Sequence, residues 1–101
     1  VIDEAKLLKD AERAMRAEQL LGNEMLNEAF ADLEQEYTKA LFLTHIDAAG
    51  AREKLFLAVN VLRKVKDHLG TIVQNGKLAN RELKELAEAA ERQKTWPEVR
   101  P

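Results

Sequence analysis

The chain contains no cysteine and no serine, and only five of its 101 residues are aromatic. Without cysteine there is no disulfide framework and no thiolate metal ligand, and with serine also missing the two commonest nucleophiles are gone. Proline occurs only at Pro97 and Pro101, so nothing before them forbids long helices. The four glycines, Gly22, Gly50, Gly70 and Gly76, are isolated, so no glycine-rich phosphate loop is present. No apolar run approaches the roughly 20 residues that cross a bilayer. Val1 stands where an initiator Met would, as expected of a processed or trimmed chain, and Asp3 and Glu4 stand where a signal peptide would be basic.

What is present is helix-forming. A third of the residues are charged, 46% are apolar, and the net charge is -2. The expected fold class is all-α: an antiparallel hairpin of two long helices flanked by two weaker ones. One helical domain is expected over residues 1–94, with an extended or disordered tail over 95–101. Trp96 in that tail reads equally well as a partner anchor and as a cover for Leu83 and Leu86.

The first helix is predicted from about Asp3 to Leu20. Its apolar pattern is thin: Leu7, Ala11, Ala14 and Leu21 make one line, Ala5, Leu8 and Met15 another. A peripheral or partner-bound position is expected. Gly22 suits the end of this helix and Asn23 the cap of the next. The second helix, Glu24 to Leu43, repeats Leu26, Phe30, Leu33, Tyr37 and Ala40 at alternating steps of four and three. Residues 44–50 interrupt the period, with Asp47 as a candidate cap. The third helix, Ala51 to Gln74, carries Leu55, Ala58, Leu62, Val65, Leu69 and Ile72 in a sustained heptad seam. Gly70 inside it suggests a close crossing or a bend. Asn75-Gly76 reads as a helix stop, and a fourth helix is expected from Asn80 to Lys94 with Leu83, Leu86, Ala87 and Ala90 on one stripe. The packing residues of the hairpin are then Leu55, Leu62, Val65, Leu69 and Ile72 against Leu26, Phe30, Leu33 and Tyr37.

Charge is divided between the long helices. Residues 23–47 hold six acids and one base, and residues 48–70 hold five bases and two acids. Such flanks discourage wrong pairings, although each exposed pair contributes only about 0–1 kcal/mol.

Candidate chemistry is sparse. The residues three before His45 and His68 are Phe42 and Val65, so the Glu-x-x-His motif of carboxylate-bridged metal bundles is missing. No metal, cofactor or small-molecule substrate is expected. Glu34, Tyr37 and Lys39 could form an acid–base group, yet nothing separates them from a solvated acidic face. Arg52, Lys54, Arg63, Lys64 and Lys66 form a basic stretch that could contact nucleic acid, with Arg63, Lys64 and Lys66 expected to share one sector of the helix. A basic flank matched to the acidic helix is the simpler account. Membrane binding is disfavoured by the strict heptad order of the seam.

The segments Glu28 to Tyr37, Ala51 to Ala58, Lys64 to Leu69 and Gly76 to Ala79 resemble small helical proteins encoded by tailed phages and prophages among head and DNA-packaging genes. The resemblance spans roughly residues 20–80 and carries no catalytic residue. It implies a virion-assembly or packaging role, with a homo-oligomer or another helical protein as partner, in the bacterial cytoplasm or the virion. The expected function is therefore non-enzymatic assembly through the apolar seam, with nucleic-acid binding as the alternative.

Overall fold

The computed structural model describes residues 3–95, and the residues there are helical with two short connections. There are three helices: α1 (Glu4–Leu21), α2 (Glu24–Leu43) and α3 (Ala49–Thr95). The all-α class stands. The separate fourth helix does not, because α3 runs 47 residues without interruption through Asn75-Gly76. The tail from Trp96, and with it both readings of that side chain, lies outside the described residues.

The starts of α1 and α2 each have a local cause. Asp3 accepts from the Lys6 backbone N–H through Oδ1 at 3.2 Å, capping α1. Asn23 has the extended backbone of a cap residue, and its Oδ1 accepts from the Leu26 N–H at 2.9 Å. Asn27 reaches back from the first turn of α2, donating its Nδ2 to the Leu21 carbonyl at 2.8 Å. The α1–α2 break is thus held by two asparagines. Gly22 has no positive φ there, so the left-handed helix end expected of it is not used. Asn23→Ala should cost about 1 kcal/mol, read as a lowered urea midpoint with unchanged slope.

Gly70 serves no crossing: a Cβ built on it would meet nothing within 4 Å.

The chain forms two compact units. One joins the chain up to Ala17 to the chain from Ile72 onward. In it α1 packs on α3 through small residues. Ala14, Ala17, Val73, Gly76 and Ala79 are buried, while Leu7, Ala11, Leu83 and Leu86 are half-buried. Ala87 and Ala90 are exposed and Ala89 is half-buried, a small rotation from the expected stripe. The peripheral position expected for the first helix is corrected here. Its Leu7–Ala11–Ala14 line is an inner face, because alanine and glycine let two backbones approach closely and gain dispersion contact.

The other unit is Glu18–Thr71. Within it α3 doubles back on α2. The Arg63 guanidinium donates to Glu34 Oε1 from both Nε (3.1 Å) and Nη2 (2.8 Å), joining residues 29 apart in sequence. Twenty-nine residues of straight helix would span about 44 Å, so the contact requires reversal at the loop. Val59 is buried there, and Phe30, Tyr37, Leu41, Leu55, Leu62 and Leu69 are half-buried.

Candidate functional site

The 44–48 connection is short and internally bonded. Thr44 donates its Oγ1 to the Ala40 carbonyl at 2.6 Å, and the Ala48 N–H donates to the His45 carbonyl at 2.9 Å. The Asp47 N–H donates to His45 Nδ1 at 3.2 Å. Asp47 does not cap α3 as expected. Arg52 instead reaches back from the helix, donating Nη1 to the carbonyls of His45 (2.8 Å) and Ile46 (2.6 Å). One guanidinium thus bonds the Ile46 carbonyl and gives the His45 carbonyl a second donor beside the Ala48 N–H.

On this fixed turn, large apolar side chains face water. Phe42 is 84% exposed and Ile46 80% exposed, with Leu43, Phe56 and Leu57 also exposed. Leu41, Ala49, Arg52, Glu53, Phe56 and Leu57 line a shallow groove of about 520 Å³ beside them. Sequence reasoning passed over this patch, yet it carried a signal. Leu41-Phe42-Leu43 and Leu55-Phe56-Leu57 are runs of three, and at 100° per residue a run of three sweeps 200° of helix surface. Leu41 and Leu55 take the inner face, so their neighbours cannot.

The seam residues named from the sequence fall in two groups. Leu26, Phe30, Tyr37, Leu55, Leu62, Leu69 and Ile72 are half-buried, whereas Leu33 and Val65 count as exposed. No described side chain larger than alanine or valine is fully covered.

The five basic residues are not brought together as one patch. Arg52 is committed to the loop carbonyls and Arg63 to Glu34. Lys54, Lys64 and Lys66 are exposed. At 100° per residue Lys64 stands about 160° around the helix from Lys66, so they point to different sides. Glu34 is occupied by Arg63, Tyr37 is half-buried and Lys39 is exposed, beside an open depression also lined by Ala31, Gln35, Thr38 and Phe42. Among the described residues no three His, Asp or Glu side chains gather as metal ligands, and no helix is long and apolar enough to cross a membrane.

No protein-family model, curated protein or solved structure matches the chain. The reading of the site therefore rests on the physical character of its surface, which is apolar and helical and adjoins a hydrogen-bonded turn.

Proposed function

We propose that the chain is a non-enzymatic helical assembly protein, acting by association of its α2–α3 hairpin with other helices. The resemblance to tailed-phage and prophage proteins supports virion assembly or DNA packaging as its setting. One observation carries the reading: bulky apolar side chains remain in water along well-formed helices whose ends and turn are already satisfied by hydrogen bonds. Monomeric soluble proteins rarely display such a contiguous patch. A preorganised surface also lowers the ordering cost of binding. The Glu34–Arg63 ion pair, which joins α2 to α3 at mid-length, supports an antiparallel pairing of the two helices.

Sedimentation equilibrium from about 1 to 300 µM tests this reading. Concentration-dependent association that persists in 0.5 M salt is the expected result, because apolar contact is not screened. A monomer throughout, together with salt-sensitive binding to duplex DNA, would replace this reading with the nucleic-acid one.

A further inference from the structure

The covered arcs of α2 and α3 are both turned away from the seam in the same sense. On α2, with Phe30 as origin, Glu34 lies about 40° to one side, and Leu33, Ala29 and Leu43 lie about 60–140° to the other. On α3, with Leu62 as origin, Val59 and Arg63 lie about 60–100° to the first side, and Val65 and Val61 about 60–100° to the second. On the first side Val59 is buried and Arg63 bonds Glu34, and only farther round, about 120° from the seam, are Phe42 and Phe56 exposed. The second side is open: Leu33, Leu43, Val61 and Val65 are all exposed, and so is Ala29. In two antiparallel right-handed helices, the same rotational sense brings residues to the same face of the pair. Leu33, Leu43, Val61 and Val65 therefore form one aliphatic strip along one face of the hairpin.

We propose that this face is where a second copy of the chain docks, closing a four-helix bundle with α2 of each copy along α3 of the other. The inference rests on the assembly reading above and places a copy on the Leu33–Val65 face rather than at the Phe56 groove. Charge selects a copy over an unrelated partner. The open face carries Glu36 on α2 and Lys54 and Lys64 on α3, all exposed and in no ion pair. Laying α2 over the partner's α3 sets acid against base in both halves of a two-fold interface, while α2 over α2 would set Glu36 near its own copy. Half a bundle exposes just such a strip, because four-helix cores are filled from both hairpins.

Sedimentation and cysteine cross-linking of the full chain test the proposal. Wild type is expected to be dimeric at about 100 µM. Val65→Glu should weaken the dimer at least 100-fold, the effect of an unpaired charge in a closed interface, with circular dichroism unchanged. Phe56→Glu, on the opposite face, should stay dimeric. Because the chain has no cysteine, Leu33→Cys and Val65→Cys can be made in separate chains and mixed. A mixed disulfide is expected, in excess over either homodimeric one. A dimer lost in Phe56→Glu but kept in Val65→Glu overturns this face and leaves the assembly reading standing. A wild-type monomer at about 300 µM overturns both, and predominant Leu33→Cys homodimers overturn the α2-over-α3 arrangement.

Discussion

Gly76→Ala should destabilise the protein by about 2 kcal/mol, lowering Tm by roughly 8–16 °C. Alanine is the better helix former by up to ~1 kcal/mol, so propensity alone predicts the opposite sign. Packing decides. A Cβ on Gly76 would overlap the Ala14 Cβ and lie 3.2 Å from the Asp10 carbonyl oxygen and 3.4 Å from the Ala14 Cα. Two of these three atoms are backbone, so α1 as a whole would have to move. That movement would loosen Ala14, Ala17 and Ala79 together, the most tightly covered residues of that unit. Gly70→Ala in the same helix is the control. Its Cβ enters open space, so the ~1 kcal/mol propensity gain should appear intact as a rise in Tm of about 4–8 °C. Opposite signs for one substitution at two glycines six residues apart isolate the crossing. Ala14→Gly combined with Gly76→Ala should recover part of the loss. A Tm that rises for both single variants would show that the helices separate without penalty.

The same glycine explains how far the fold was legible in the sequence. The heptad steps of α3 do not stop at Ile72. They continue at Gly76, Ala79, Leu83 and Leu86, alternating four and three as before. Asn75-Gly76 has the composition of a helix stop, and that local signal outweighed the longer period in the sequence reading. A glycine on a seam position has a second physical use, which is to bring a neighbouring backbone close, and here that use prevails. The α1 pattern was seen but undervalued for the same reason: Ala11 and Ala14 bury little area each, yet permit an approach that leucines would prevent.

Other features of the candidate site were not encoded locally. Helix period marks candidate seams on α2 and α3, and along α3 Leu55, Leu62 and Leu69 are half-buried. It could not say that Leu33 and Val65 would be left open, since that depends on how the two helices are turned against each other, and residues that meet across the loop, such as Glu34 and Arg63, stand 29 apart in sequence. Arg52 was read by charge alone. Its hydrogen bonds depend on turn geometry that no spacing rule specifies, and they convert a candidate phosphate ligand into the residue that fixes the turn.

Leu62→Asp should be the most damaging single change in the Glu18–Thr71 unit. Leu62 is half-buried on α3, one heptad from Leu55 and one from Leu69. Removing the side chain costs the lost apolar contact and a partial cavity, about 2 kcal/mol for a half-covered leucine. Aspartate adds up to ~0.7 kcal/mol of poorer helix propensity and a carboxylate held against apolar neighbours, worth roughly 3 kcal/mol more. The sum, between about 5 and 6 kcal/mol, equals the whole stability of many domains of about 100 residues. Far-ultraviolet circular dichroism should therefore show loss of helix at 25 °C without denaturant. Leu57→Asp, at an exposed site of the same helix, should stay within about 1 kcal/mol of wild type. The two leucines differ by five residues and by which side of the helix they occupy, so the contrast measures the seam itself. Equal, mild effects at both positions would mean that α2 and α3 do not depend on each other for cover, and the hairpin could not then serve as a preformed docking surface.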